Sequence, residues 1–329
     1  MKIAVIHDYA DALRTTQAYP KLHASGHEIA IYNDAYTDPA RMVEQVKGCD
    51  ALLLTQQRLT VTRQMLQQLP QLKFISQTGR NVSHLDVAAC TDLGILVSAG
   101  GHDGASPYTT TGELAWTLIL ASMRHLPYEV ERFKAGHWHS TIGTRLYGHT
   151  LGIYAYGHIG SGVARVGRAF GMKVVCWGRD GSLAKAKAEG FEAAASREAF
   201  FEQCDVISLH IKSNDATRGI ITAADLARMK PTSLLVNTSR APIIEDGALV
   251  EALKKGRPGF AAVDVYEEEP VVGANHPLLK LKNALCAPHL GYSERGSYEH
   301  IYETGVEQLL AYAAGKPINV LNPEAAGKK

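Results

Sequence analysis

The chain has 329 residues, of which 46% are hydrophobic, and its formal net charge is +1. This length exceeds one ordinary hydrophobic core and indicates two domains of typical size. The near-zero charge argues against nucleic acid or a membrane surface as a partner, and no apolar run approaches the roughly 20 residues of a membrane span.

The first ten residues, MKIAVIHDYA, predict a buried strand and contain too short an apolar run for a signal peptide. Apolar segments then alternate with helical ones, which is the pattern of parallel α/β units. The predicted strands of this half are KIAVI, EIAIY, ALLL, KFIS and ILV. A helix is predicted from Thr62 to Gln68, ended by Pro70, and the segment SAGGHDGASPY predicts a linker.

A second run of alternating segments follows the linker. Residues Thr111 to Phe133 predict one long helix, with Glu113 in its first turn and Gly136 after its end. Ser293 to Gly315 predicts a terminal helix, and the strands predicted between them are TLGIYAY, KVVCW, DVISLHI, SLLVNTS, GFAAVDV and NALCAPH. The sequence therefore predicts an α/β fold with two different doubly wound parallel sheets, the second beginning near residue 102.

The five cysteines are odd in number and widely separated, and no two of them form a C-x-x-C pair. This distribution predicts reduced, buried thiols and a cytoplasmic protein. The histidines of GHWHS, His137 and His139, have no acid or cysteine beside them at ligand spacing. We therefore predict no metal site.

The segment LGIYAYGHIG has the form of a G-x-G-x-x-G turn in which Ala155, Gly157 and Gly160 occupy the three glycine positions. Glycines there permit a tight turn, close approach of a pyrophosphate and close helix–strand contact. An apolar strand precedes the turn, and the helical segment that follows offers its first amides to an anion. We predict dinucleotide binding; the alternative is an ordinary strand–turn–helix in which glycine serves packing.

The end of the next strand, VVCWGRD, bears on the choice of dinucleotide. An acidic residue normally stands there and binds the ribose hydroxyls of NAD, but Gly178 takes its place and Arg179 follows. A neutral residue does not repel a 2′-phosphate, and arginine can bind one through two hydrogen bonds. The sequence therefore favours NADP(H) over NAD(H). Asp180 leaves NAD open, and a solvated Arg179 is the alternative.

Three late motifs place polar side chains after predicted strands: Arg240 in VNTSRAPII, Glu269 in AAVDVYEEEP and His289 in CAPHLGYSE. Ligands of α/β folds bind beyond such carboxyl ends. Together with the glycine turn and the segment SQTGRNVSHLDVAACTDLGI, the motifs resemble the D-isomer-specific 2-hydroxyacid dehydrogenases over essentially the whole chain. In this family, which includes phosphoglycerate dehydrogenase and hydroxypyruvate reductase, the arginine, glutamate and histidine are the catalytic set.

The resemblance implies an enzyme that transfers a hydride between a nicotinamide cofactor and a small 2-keto or D-2-hydroxy acid. It implies a flavodoxin-like substrate domain, residues 1–101 plus 291–329, and an inserted Rossmann cofactor domain, residues 102–290, through which homodimers form. It assigns Asp264 to the nicotinamide carboxamide and Thr238 to the nicotinamide ribose. The other implied cofactor contacts are Tyr156, Gly157, His158, Ile159, Gly160, Gly178, Arg179, His210, Lys212, Thr217, Asn237, Ser239 and Gly291.

The catalytic set suits the reduction of a 2-keto acid, which needs a proton for the carbonyl oxygen and an anchor for the carboxylate. Histidine titrates near neutral pH, so we expect His289 to be the acid in reduction and the base in oxidation. Glu269 would orient it and favour the imidazolium; it is chosen because the family's glutamate directly precedes the proline, and Glu267 and Glu268 are expected to be solvated. Arg240 would bind the carboxylate and polarise the keto oxygen.

In the first half, the resemblance assigns backbone amides of Thr78 and Gly79 to the substrate carboxylate. Arg58 and Arg80 are candidates for contacts to the remote end of the substrate. The alternative for both arginines is a surface role. Gln56 stands where a further arginine would favour a phosphorylated substrate. We therefore expect a small unphosphorylated 2-keto acid such as glyoxylate or hydroxypyruvate, with 3-phosphoglycerate as the alternative.

The sequence departs from the commonest family pattern at Ala155, Ala241, Lys212 and Gly178, none of which removes a catalytic side chain. The C-terminal-binding transcriptional corepressors resemble the same family, so a dinucleotide-sensing binding protein is the alternative from another class. Those proteins typically carry long disordered flanking segments, and none is predicted here. We therefore expect an enzyme.

Overall fold

The computed structural model describes residues 1–100 and 109–327. The chain divides into two compact units, Met1–Ala105 with Glu294–Lys329 and Ser106–Ser293. The predicted boundary between residues 101 and 102, and most of the predicted linker, lie outside the described residues. Each unit has its own parallel sheet.

The sheet of the first unit has five parallel strands: β1 Lys2–Ile6, β2 Glu28–Ile31, β3 Ala51–Leu54, β4 Phe74–Gln77 and β5 Leu96–Ala99. They match the five predicted segments, and their order, β2-β1-β3-β4-β5, confirms the flavodoxin-like sheet. β3, β4 and β5 are buried at every residue. A strand covered on both faces has a continuous apolar run rather than an alternating one, which is why the sequence shows these strands so clearly.

The helices of this unit are α1 Ala18–His23, α2 Pro39–Val46, α3 Arg63–Leu66, α4 Val87–Asp92 and α12 Arg295–Ala313. Helix α3 is shorter than predicted, with Thr62 as its N-cap. Helix α12 comes from the far end of the chain and packs on β3 and β4. Ser76 Oγ donates to Gly305 O at 2.9 Å, and the Phe74 ring stacks on Tyr312 at 4.2 Å.

The sheet of the second unit has seven parallel strands: β6 Thr150–Tyr154, β7 Lys173–Trp177, β8 Glu192–Ala193, β9 Val206–Leu209, β10 Leu234–Asn237, β11 Phe260–Val263 and β12 Ala284–Cys286. The order β12-β11-β10-β9-β6-β7-β8 confirms the Rossmann arrangement. The strand order reverses between β6 and β9, and ligands of open α/β sheets bind at the carboxyl ends of the strands beside such a reversal. Among the strands of the described residues, β8 alone is not predicted, because a strand of two residues is too short to show an apolar run or an alternation.

The helices of the second unit are α5 Thr109–Met123, α6 Leu126–Lys134, α7 His158–Ala169, α8 Asp180–Ala188, α9 Arg197–Gln203, α10 Ala223–Arg228 and α11 Ala248–Lys254. The prediction of one helix from Thr111 to Phe133 is wrong, since α5 and α6 are separate. His125 has φ +49 between them, and Pro127 has no amide with which to continue α5. Gly136 follows α6 with φ +87, at the predicted end.

All five cysteines are free. Four are buried as predicted, and Cys286 is half-buried instead, because it lies at the end of β12, the edge strand of its sheet. Within residues 1–100 and 109–327, every helix is too short or too polar to span a bilayer.

Candidate active site

The glycine turn lies between β6 and α7, where Gly157 is the N-cap of the helix. Ala155 has φ +74, a left-handed conformation that glycine adopts most easily, so the turn is kept although its first glycine is absent. A Cβ on Gly157 would meet no atom within 4 Å, whereas a Cβ on Gly160 would lie 2.5 Å from Ala155 O. There is therefore open space at Gly157, where the helix begins, and close packing at Gly160, about one helical turn later.

Polar atoms on two neighbouring strand ends support a ligand at this edge. Among the described residues, Thr238 Oγ1 after β10 and His210 Nε2 after β9 are buried without a hydrogen-bond partner. Buried polar groups are normally hydrogen-bonded, so both atoms are available to a bound ligand. Burial lowers the pKa of His210 to about 4, so its ring is neutral near pH 7. These atoms and the open helix terminus at Gly157 fit a dinucleotide.

The strand β7 ends beside this turn, and Gly178 follows it with φ +156. A Cβ on Gly178 would only reach van der Waals contact with Ala155 Cα, at 3.4 Å, but side-chain-bearing residues rarely adopt this φ. The backbone conformation as well as the charge argument therefore favours glycine here. Arg179 is the N-cap of α8, and both Arg179 and Asp180 are exposed.

Several other predicted cofactor contacts have defined surroundings. His158 and Ile159 form the first turn of α7. The Tyr156 side chain is buried in the core, so only its backbone lies in the turn, and its amide donates to Ser182 Oγ at 2.7 Å. Further along the chain, Thr217 Oγ1 donates to the carbonyl of the exposed Lys212 at 2.8 Å.

The loop after β10 carries Arg240. Asn237 Nδ2 donates to Arg240 O at 3.0 Å, and Asn237 Oδ1 accepts from Ser239 N at 3.0 Å. Ser239 Oγ donates to Leu209 O, which ties the loop to β9. Arg240 is exposed, and its only side-chain hydrogen bond to a described residue is to Ser239 O at 2.7 Å. Most of its five donors can therefore meet a ligand.

Glu269, in the loop after β11, is hydrogen-bonded to His289, which follows β12. Glu269 Oε2 contacts His289 Nδ1, and Glu269 Oε1 accepts from Tyr266 N at 2.8 Å. Both side chains of the pair are 31% exposed. Because Nδ1 faces the carboxylate, Nε2 is the nitrogen that can exchange a proton with a ligand.

Asp264 fixes the segment that follows His289. Its Oδ1 accepts from Leu290 N at 2.6 Å and its Oδ2 from Gly291 N at 2.8 Å, while Gly291 O accepts from Thr111 Oγ1. Burial raises the pKa of Asp264, although the two amides act in the opposite direction. Both oxygens thus bind the backbone, and Asp264 has a positioning role whether or not it also contacts a cofactor.

The strands β10, β11 and β12 are parallel neighbours, so Arg240, Glu269 and His289 lie at one edge of the sheet. The glycine turn after β6 lies at the same edge. The site combines a permanent cation, a carboxylate–imidazole pair and a dinucleotide-type turn. Within the described part of the chain, no three His, Cys, Asp or Glu side chains come together as a metal site would require.

Residues 116–291 match the family model of the D-isomer specific 2-hydroxyacid dehydrogenase, NAD binding domain. The chain belongs to the D-isomer-specific 2-hydroxyacid dehydrogenases. The dehydrogenase is therefore an oxidoreductase that transfers a hydride between a nicotinamide cofactor and a 2-keto or D-2-hydroxy acid, as the sequence predicts.

Three relatives show the extent of the similarity. A glyoxylate reductase of Aeropyrum pernix is 36% identical over 306 residues, 88% of this chain and 89% of that protein. A D-3-phosphoglycerate dehydrogenase of Methanocaldococcus jannaschii is 34% identical over 286 residues, 85% of this chain and 53% of that protein. The crystal structure of a phosphoglycerate oxidoreductase from Vibrio cholerae o395 is 44% identical, with a TM-score of 0.88, over 96% of this chain and 99% of that chain.

In the first unit of the dehydrogenase, Arg58 is half-buried rather than solvated. It donates to His7 O and, at 3.4 Å, to Tyr298 OH. Its guanidinium carbon also lies 4.3 Å from the centre of the Tyr9 ring. These contacts hold the cation beyond β1 and β3, where the strand order of this sheet reverses.

The other predicted substrate contacts lie after β4. Thr78 is buried, its amide donates to Leu54 O at 3.2 Å, and its Oγ1 accepts from Gln56 N at 3.0 Å. The Thr78 amide is therefore already bound within the sheet. At Gly79 a Cβ would meet no atom within 4 Å, and Arg80 is exposed.

The loop after β11 makes two further contacts. Glu267 and Glu268 are exposed, as expected, and Glu267 Oε2 is also hydrogen-bonded to His276 Nε2 at 2.8 Å. Tyr266, which no motif singles out, donates its hydroxyl to Ala287 O at 2.9 Å. No local signal in the sequence identifies Tyr266, because its contact with Ala287 depends on the pairing of β11 with β12.

Proposed function

We propose that this dehydrogenase reduces small unphosphorylated 2-keto acids, such as glyoxylate and hydroxypyruvate, with His289 as the acid. The observation that carries the proposal is the His289–Glu269 pair, at the sheet edge that also carries Arg240 and the glycine turn. The glyoxylate reductases among the relatives, which this chain matches over most of their length, support the substrate class.

A nicotinamide cofactor held at the glycine turn, Gly157 to Gly160, would supply a hydride for C2 of the keto acid. Arg240 binds the substrate carboxylate and polarises the keto oxygen. Glu269 holds His289 Nδ1, so the proton on Nε2 of the imidazolium passes to the oxygen as negative charge develops there. In oxidation the neutral Nε2 takes the hydroxyl proton, and Glu269 keeps the ring in place.

A phosphoglycerate dehydrogenase activity is the second candidate, because several relatives are named for phosphoglycerate and Arg58 is a fixed cation. Initial rates with glyoxylate, hydroxypyruvate and 3-phosphohydroxypyruvate, each with NADPH and NADH, distinguish the two. We expect the higher kcat/KM for the unphosphorylated acids. A clear preference for the phosphorylated acid would overturn the substrate assignment. Tight dinucleotide binding without turnover would favour a dinucleotide-sensing protein instead.

We propose a preference for NADP(H), supported by Gly178 and the exposed Arg179. Replacing Arg179 by alanine is expected to raise KM for NADPH by about 10- to 100-fold, the value of one to two charge-assisted hydrogen bonds. KM for NADH should stay within about twofold, since NADH has no 2′-phosphate for Arg179 to bind. Steady-state kinetics with both cofactors measures the difference.

The control for this prediction is Lys185→Ala, which removes an exposed cation from the same helix, α8. Lys185→Ala should leave both KM values near those of the native enzyme. An equal rise for NADPH and NADH in Arg179→Ala would contradict a phosphate-specific role. A native enzyme that prefers NADH would favour the alternative in which Asp180 binds the ribose.

We also propose that the dehydrogenase is a homodimer that pairs through its second unit. Helix α6 and the segment after it expose Phe133 by 64%, Trp138 by 75% and Ile142 by 94%. The Phe133 and Trp138 rings are 5.8 Å apart, so these two side chains form one exposed apolar patch. Patches of this kind mark protein interfaces, and the family resemblance makes a second copy the partner.

Replacing both Phe133 and Trp138 by aspartate is expected to convert the dimer into a monomer, because a charge would be buried in the interface. Sedimentation velocity at micromolar concentration measures this change. Leu279→Asp is the control, since Leu279 is an exposed apolar residue of the same unit outside the patch. A native chain that sediments as a monomer, or a double variant that stays dimeric, would rule out this interface.

Two assignments complete the proposal. Residues 1–101 plus 291–329 form the substrate domain and residues 102–290 the cofactor domain, supported by the glycine turn in the second unit. The enzyme is cytoplasmic, supported by five free and scattered cysteines.

A further inference from the structure

We propose that Tyr266 is a positioning residue that holds both members of the catalytic pair. This inference rests on the proposed function, in which His289 is the acid–base group. Tyr266 N donates to Glu269 Oε1 at 2.8 Å, and Tyr266 OH donates to Ala287 O at 2.9 Å. One residue therefore contacts the carboxylate directly and the histidine turn through its hydroxyl.

Ala287 is the residue on which the His289 turn is built. Its amide donates to Val263 O at 2.8 Å, and its carbonyl accepts from His289 N at 3.1 Å as well as from Tyr266 OH. His289 has φ +56, a conformation that persists in a side-chain-bearing residue only where its surroundings fix it. Tyr266 supports the turn before His289.

Asp264 supports the same turn from the other side, through the amides of Leu290 and Gly291. Asp264 and Tyr266 both follow β11, and they grip the backbone on either side of His289. The loss of the hydroxyl of Tyr266 would leave the turn before His289 held, among the described residues, only by the bond from Ala287 N to Val263 O. The imidazole could then move relative to Glu269, which Tyr266 N would still hold.

The surroundings of Tyr266 keep its hydroxyl in place. The residue is 7% exposed, and burial raises the pKa of its hydroxyl, so the group stays a neutral donor over the working pH range. Its ring packs edge-on against His276, with ring centres 4.9 Å apart. His276 is itself fixed, because its Nε2 is bonded to Glu267 and its Nδ1 accepts from Leu278 N.

The variant Tyr266→Phe tests the inference, since it keeps the ring and the backbone amide and removes only the hydroxyl. We expect kcat for reduction to fall about five- to tenfold, the effect of one hydrogen bond between neutral groups. KM for the keto acid and for the cofactor should stay within about twofold, and Tm should change little.

The matched control is Tyr154→Phe, which removes a hydroxyl from the same hydrophobic core and should leave kcat unchanged. In a His289→Asn background, Tyr266→Phe should have no further effect on the residual rate. An unchanged kcat in Tyr266→Phe, an equal rise of both KM values in place of the fall in kcat, or an additive loss in the double variant would overturn the inference alone. Native activity in His289→Asn would overturn the proposed function, and the inference with it.

Discussion

Replacing His289 by asparagine is expected to lower kcat for 2-keto acid reduction by about 10²–10⁴-fold, the contribution of a positioned proton donor. Asparagine can still donate to Glu269, but it has no group that titrates near neutral pH. Cofactor affinity should be unchanged, because the turn that carries residue 289 is held by backbone bonds to Asp264 and not by the imidazole. Steady-state rates and a fluorescence titration with NADPH measure the two quantities.

His276→Asn is the control for this prediction, because His276 is also hydrogen-bonded to a glutamate in the loop after β11. Loss of the His276 imidazole should lower kcat by no more than about tenfold, which is the effect of a single hydrogen bond. Equal losses in both variants would indicate a general disturbance of the loop. The assignment of His289 as the proton donor would then be wrong.

The second large effect is expected at Gly160, where an added Cβ would lie 2.5 Å from Ala155 O. Gly160→Ala should lower the free energy of unfolding by about 1–3 kcal/mol, the usual penalty of overpacking. It should also weaken dinucleotide binding by about tenfold or more, since the start of α7 must move away from the turn that supplies its amides. Urea unfolding and cofactor titration measure these changes.

Gly162→Ala, two residues further along α7, is the control, because it makes the same substitution where no steric clash is expected. A Cβ on Gly162 would meet no atom within 4 Å, so alanine should stabilise the helix by about 0.5–1 kcal/mol. Its cofactor affinity should equal that of the native enzyme. If Gly160→Ala bound the cofactor with native affinity, the glycine turn would not be the dinucleotide site.

The parts of this fold that the sequence predicts are those whose residues carry the pattern locally. Strands such as Ala51–Leu54 are buried at every position, so their apolar runs are visible without any tertiary information. The break between α5 and α6 depends on one proline, Pro127, within an otherwise helical segment. Strand β8 is visible only through its pairing with β7, which the sequence does not show.

The same limit applies to the site. The positions of Arg240, Glu269 and His289 after their strands follow from motif order, because parallel strands end at one edge of a sheet. The hydrogen bonds by which Asp264 and Tyr266 hold the His289 turn could not be predicted, because they join residues more than 20 positions apart in the chain. Such contacts depend on the pairing of β11 with β12.

Ala155 and Gly178 show how backbone conformation changes the interpretation of a motif. Alanine at Ala155 adopts φ +74, at a steric penalty of about 1–2 kcal/mol relative to the right-handed region, and the turn survives. Gly178 has φ +156, so the loss of the usual acid has a conformational reason beside the electrostatic one. Arg179 therefore carries more of the cofactor prediction than Gly178 does.

The first unit is formed by two segments of the chain, one on each side of Ser106–Ser293. This arrangement determines the order in which the two units can fold during synthesis. Helix α12 packs on β3 and β4, and after it Leu321 N donates to Val97 O in β5. On the ribosome, strands β1–β5 emerge before Ser106–Ser293 is synthesised, and α12, which covers β3 and β4, emerges only after it. The contiguous second unit can fold during translation. The first unit can be completed only after Ser106–Ser293 has been synthesised, so its sheet lacks the cover of α12 during that interval.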